Sequence, residues 1–116
     1  MLHSEYVIGI ILIAAGVILK LFPPKHINSC YGYKTPFSMK NKTIWDEGNR
    51  FSAIMLVYIG AASLIVAVLC DVIYMGDFDK AFKISTTISI IALICSIIYT
   101  EIHLRILFDK NGNRRI

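Results

Sequence analysis

Side chains able to make specific contacts concentrate in one stretch, residues 23–50, which reads PPKHINSCYGYKTPFSMKNKTIWDEGNR. Asn28 and Asn49 supply amides, Tyr31 and Tyr33 phenols, Thr35 and Ser38 hydroxyls, Trp45 an indole N–H and Lys34 a cation. Phenols and indoles join a polar handle to apolar area, which suits recognition where water meets an apolar phase. Bond-breaking chemistry is a poor fit. No Ser/His/Asp, Cys/His or paired-carboxylate arrangement occurs, and there is no G-x-x-x-x-G-K phosphate loop. Near the other end stand Glu101, His103 and Arg105. Glu101 and Arg105 are four apart, so they are expected to pair on one helical face. The three cysteines, Cys30, Cys70 and Cys95, have no zinc spacing. They lie at depths too different for a bridge, which needs Cα atoms within about 7 Å. Free cysteines, no metal and no cofactor are expected.

These residues are set among strongly apolar segments. Of 116 residues, 56% are hydrophobic and 17% charged, against about 25% charged in an ordinary soluble domain. Residues 6–22 contain one charge, Lys20, and residues 51–70 and 84–100 contain none. A membrane span takes about 20 mostly apolar residues, range about 17–25. A soluble bundle would show a polar stripe toward water, which these runs lack. The expectation is an all-α integral membrane protein, one domain over 1–116, with spans at about 6–22, 51–74 and 84–105 and a structured loop at 23–50. The first span lacks the basic start and small-residue cleavage site of a signal peptide, so it reads as retained.

Basic residues are distributed unevenly. Lys20, Lys25, Lys34, Lys40, Lys42 and Arg50 lie in or beside the first loop, and Arg105, Lys110, Arg114 and Arg115 at the C-terminal end. Only Lys80 and Lys83 lie in the second connection. The side rich in Lys and Arg is normally cytoplasmic. This places the first loop and C-terminus on the cytoplasmic side of the membrane and the N-terminus outside, as three alternating spans require. The same charges suit lipid headgroups, and no nucleic-acid partner is expected. A small ion-coupled transporter would need an ionisable group at mid-membrane, whereas every carboxylate here lies near a boundary.

Small residues mark the helix faces expected to meet: Gly9 and Gly16 with Lys20; Gly60, Ser63, Ala67 and Cys70; Ser85, Ser89, Ala92 and Ser96. Close backbone approach through small residues drives helix association in lipid. Contact between copies in a homo-oligomer is the alternative use of these stripes. The long loop carries Ile27, Phe37, Met39 and Ile44 besides its aromatics, too apolar for a solvated linker. Thr43 followed by Asp46 reads as a helix cap, starting the second helix near Thr43 and running it unbroken into the membrane. Trp45, Asn49, Ser52, Leu56 and Gly60 then share one face, so Trp45 and Asn49 point toward the bundle. Lys20 and His103 end the corresponding faces of the other helices, and all are expected to converge beneath Tyr31-Gly32-Tyr33. The tail from Asp109, with Asn111-Gly112-Asn113, reads as frayed or interfacial.

The pattern PPKHIN-x-x-YGYKTP-x-S-x-x-N-x-x-x-W-x-x-x-N-R resembles the signature of the SdpI family of bacterial membrane proteins. Matching positions are Pro24, Ile27, Asn28, Tyr31, Gly32, Tyr33, Thr35, Ser38, Asn41, Trp45 and Asn49. Lys34 stands where the family usually has Arg, and Gly48 where it usually has Ala. Lys lacks the two-pronged contact of Arg. The resemblance implies a non-enzymatic protein giving immunity to a secreted, membrane-active toxic peptide, and a loaded state that recruits a cytosolic repressor. It implies binding roles for Asn28, Tyr31, Gly32, Tyr33, Lys34, Thr35, Ser38, Trp45 and Asn49. An interaction module or accessory subunit of another membrane complex, without a peptide ligand, is the alternative.

Overall fold

A computed structural model describes residues 4–28 and 30–115. The expected outer end of the chain before Ser4, and Ile116, lie outside the described residues. Three α-helices follow in order: α1 Ser4–Leu21, α2 Lys42–Ile73 and α3 Phe78–Leu107. No strand forms among the described residues; Phe108 and Arg114 make an isolated antiparallel bridge.

α2 has 32 residues and α3 has 30, about 48 and 45 Å at a rise of 1.5 Å per residue. Both are long and apolar enough to cross a membrane and exceed a hydrocarbon core of about 30 Å. The apolar part of α1, Tyr6–Leu21, is shorter. The apolar run of α2 begins at Phe51, so its polar first turns, with Asp46, Glu47 and Arg50, stand beyond the expected span.

α1 lies along α2, α2 along α3, and α1 touches α3 only slightly. Glycines make the first contact close. A Cβ on Gly60 would stand 2.6 Å from Ile13 Cγ1 and 2.8 Å from the Gly9 carbonyl, and one on Gly16 would stand 2.8 Å from the Ala53 carbonyl. Ser63 and Ala67 on α2 and Ser85, Ser89 and Ser96 on α3 are buried. The stripes thus lie inside the protomer. Tyr6 donates to Asp71 Oδ2 at 2.6 Å, joining the first turn of α1 to the last turn of α2.

Three local expectations are corrected. The cap of α2 is Asn41, whose Oδ1 accepts from Ile44 N at 2.9 Å, and Thr43 is an exposed first-turn residue. The second connection is shorter than 75–83, because Asp77 accepts from Lys80 N and starts α3 at Phe78. The tail is a folded turn: Asp109 N donates to the Asn113 carbonyl, Asp109 Oδ1 accepts from Asn111 N and Asn113 N, and Arg115 N donates to the Leu107 carbonyl. Gly112, at φ 85°, supplies the left-handed residue this turn requires.

The motif loop and its anchoring site

The first loop folds over the Trp45 end of the bundle because each of its turns finds a fixed partner. Asn28 Oδ1 accepts from Cys30 N and Tyr31 N at 2.9 and 2.7 Å, a side chain closing its own turn. Tyr31 then donates its phenol to the Phe22 carbonyl at 2.7 Å, one of those left open at the end of α1. Ser38, fully buried, accepts from Thr35 N at 2.9 Å and lies 3.1 Å from the Tyr33 and Thr35 carbonyls.

Asn49 and Trp45 tie this loop to α2. Asn49 Oδ1 accepts from Tyr33 N at 2.6 Å, while its Nδ2 donates to the Trp45 carbonyl one turn earlier at 2.8 Å. Trp45 is fully buried, and its Nε1 donates to the Pro24 carbonyl at 2.9 Å. Gly32 crosses between them at φ 114°. A Cβ there would stand 2.5 Å from Asn49 Oδ1 and 2.8 Å from Pro24 Cγ. Only glycine meets both conditions, since L side chains avoid positive φ.

A second set of bonds ties the loop to α3. Glu101 Oε1 accepts from Tyr33 OH at 2.7 Å and from Thr35 Oγ1. Burial, then the bond to Glu101, raises the Tyr33 pKa well above the ordinary phenol value, so the phenol stays protonated and donates. Phe37, Ile44, Leu104 and Phe108 form an apolar cluster beside these bonds, flanked by Tyr33 and Leu107. The Arg105 guanidinium lies 4.6 Å from the Phe37 ring centre, within cation–π range.

The structure therefore brings Gly32, Tyr33, Thr35, Ser38, Trp45 and Asn49 together. Asn28 and Tyr31 hold the entry to the loop, and Lys34 is exposed. Lys20 is also exposed, beside a surface cavity that Asn49 shares. His103 takes other partners: its Nε2 is 2.7 Å from Glu47 Oε2, and its ring stacks on Phe51 with centroids 4.0 Å apart. Arg50 grips the same Glu47 through Nε and Nη2 at 2.9 and 2.7 Å. The Arg50 guanidinium, opposed by partial burial and helped by His103, holds the Glu47 carboxyl below its ordinary value.

Residue patterns missed the partners rather than the motif. Glu101 does approach Arg105, at 3.8 Å, but its short contacts are with Tyr33 and Thr35. An acid at the end of an apolar helix with two loop hydroxyls to satisfy was the available signal. Gly48, noted only as a departure from a pattern, is buried at the loop: a Cβ there would stand 3.2 Å from Tyr33 Cδ1 and 3.3 Å from Leu104 Cδ1.

Beneath Gly32 and Tyr33 a cavity of about 210 Å³ opens between the helices. Leu19, Met55, Leu56, Leu93 and Ile97 give it apolar walls, with Ser52, Ser96 and Thr100 among them. Most of that wall lies within the apolar runs, so the cavity suits an apolar group arriving from within a bilayer better than a polar metabolite.

The sequence pattern of the SdpI/YfhL protein family matches residues 25–100. The chain belongs to that family. It is 36% identical over 107 residues to Uncharacterized protein YfhL of Bacillus subtilis (strain 168), covering 92% of this chain and 91% of that protein. It is 39% identical over 62 residues to Immunity protein SdpI of the same organism, covering 53% of this chain and 27% of that relative's length. No solved structure matches the chain. Gly32, Tyr33, Thr35, Ser38, Trp45 and Asn49 lie within the matched region, whereas Pro24, which accepts from Trp45, and Glu101, which holds Tyr33 and Thr35, lie just beyond its two ends.

Proposed function

We propose that this protein is a non-enzymatic immunity protein of the bacterial cytoplasmic membrane, protecting against a membrane-active toxic peptide. The supporting observation is its kinship with a protein named for immunity, within a family whose pattern includes most of the loop site. In this reading all three helices cross the bilayer. α1 supports this by position: its contacts on α2 run from Ala53 to Asp71, the apolar part of that helix. An apolar segment of the peptide enters the cavity between the helices beneath Tyr33. The loop, on the cytoplasmic side with the C-terminus, registers the loaded state and presents it to a cytosolic repressor.

The test is a challenge assay in a sensitive host, with membrane abundance measured first. Wild-type protein should protect against the cognate peptide. Trp45→Phe and Asn49→Ala should lose protection at normal abundance, while Lys83→Ala, in the first turns of α3 at the opposite end of the bundle, should keep it. Full protection by both loop variants removes the loop from the mechanism. A second reading, an accessory subunit with no peptide ligand, is favoured by the limited reach of the immunity match, 27% of that relative. Absence of protection against any candidate peptide, together with stable co-purification of a membrane partner, would select it.

A further inference from the structure

Where α1 ends and α2 begins, the surface holds another cavity, of about 340 Å³. Four cations line it, Lys20, Lys25, Lys42 and Arg50, against one carboxylate, Asp46. Lys42 pairs with Asp46 at 2.5 Å, and Arg50 is held by Glu47 outside the lining. Neither Lys20 nor Lys25 makes an ion pair among the described residues. Two flexible ammonium groups thus border a recess of ligand size with excess positive charge. Leu19, Pro23 and Pro24 add apolar area to its wall, and the end of α1 exposes further apolar side chains in Leu21 and Phe22. Charge at one side and an apolar strip at the other match a molecule built the same way.

We propose that this cavity binds the phosphodiester headgroup of an anionic membrane lipid, with Lys20 and Lys25 as its charge partners and the acyl chains running down the α1 surface. The proposal rests on the membrane reading above but not on the immunity reading. Occupancy would reach the motif loop through two residues that also line the recess. Pro24 accepts the Trp45 indole bond, and Asn49 accepts from Tyr33 N. A bound headgroup would brace the floor on which the loop is anchored. Trp45 is the single tryptophan of the chain, so its emission reports this floor directly.

The full chain, purified in a maltoside detergent, is titrated with dioctanoyl phosphatidylglycerol while Trp45 emission and melting temperature are followed. Dioctanoyl phosphatidylcholine and inorganic phosphate are the comparison ligands. Phosphatidylglycerol should shift both signals saturably, and the other two should not. Replacing one lysine, Lys20→Gln or Lys25→Gln, should weaken the response roughly five-fold, and replacing both on the order of thirty-fold. The double Lys→Arg variant should bind as wild type, and Lys83→Gln should change nothing. Circular dichroism without lipid establishes that each variant keeps its helices, and a double Gln variant that fails this check leaves the single variants to decide. An equal response to phosphatidylcholine, an equal response to inorganic phosphate, or wild-type titration by folded Lys→Gln variants would each overturn the proposal. The assay contains no toxic peptide, so its failure is separate from failure of the immunity reading.

Discussion

Replacing Asn49 with alanine strips the acceptor from Tyr33 N and the donor from the Trp45 carbonyl, inside a site closed by Gly32. A buried polar group left without a partner costs about 1–3 kcal/mol, so Asn49→Ala should melt earlier than wild type in detergent. Gly32→Ala should be at least as severe, since it meets both a positive φ and the Asn49 oxygen. Restoring glycine function at that site with Asn, which tolerates positive φ, should fail as well because of the Cβ clash. Glu47 gives a pH dependence. Its folded-state pKa lies below the ordinary carboxylate value of 4.5, chiefly because of Arg50. A depressed pKa contributes stability that is complete above the unfolded value and is lost as pH falls through the folded one. The melting-temperature gap between wild type and Glu47→Gln should therefore be constant at neutral pH and close as pH drops below about 4.5. At this scale the sequence announced which residues matter but not whom they touch. Trp45 and Asn49 fall on an inward face by simple helical spacing. The Tyr33–Glu101 bond joins residues far apart in the chain, and spacing carries no information about such a pair.

The contact of α1 with α2 depends on backbone proximity at Gly9, Gly16 and Gly60. Any side chain at Gly60 must displace Ile13 or the α1 backbone, so Gly60→Val should separate the two helices. Expected is a sharp fall in the yield of monodisperse protein by size-exclusion chromatography, whereas Ala61→Val, on the exposed side of the same turn, should leave yield unchanged. Equal behaviour of the two would dismiss the glycine contact. These stripes were readable because residue size and helical period act locally. The capping residue of α2 was not. Thr43 satisfies a capping pattern, but Asn41 is held in place from outside, donating its Nδ2 to the Gly112 carbonyl at 2.8 Å. The tail, whose composition suggests fraying, folds because α2 offers it that partner and because Lys40 reaches the Lys110 carbonyl.

For the whole molecule, the proposed orientation places the loop and tail together, and the structure joins them regardless of orientation. They must therefore share one side of any membrane that α2 and α3 cross. A C-terminal reporter should be active in the cytoplasm, and a cysteine introduced at Lys34 should resist labelling from outside intact cells. Labelling at Lys34 would reverse the orientation, and opposite sides for loop and tail would contradict the fold itself. The order of three helices was legible from the apolar runs, while the central place of α2 was not, because composition does not reveal which neighbours a helix has. The fastening of the early loop by late residues also sets an order of events during synthesis. Glu101, Leu104, Phe108 and Gly112 become available only after both connections and nearly the whole of α3 have been made. Before then the loop at 23–50 can fold against α1 and α2 through Tyr31, Trp45 and Asn49, but its partners on α3 and the tail do not yet exist. The second half of its fastening therefore depends on completion: a chain ending before residue 101 lacks the acceptor for Tyr33 and Thr35 and the Leu104 and Phe108 side chains that cover Phe37.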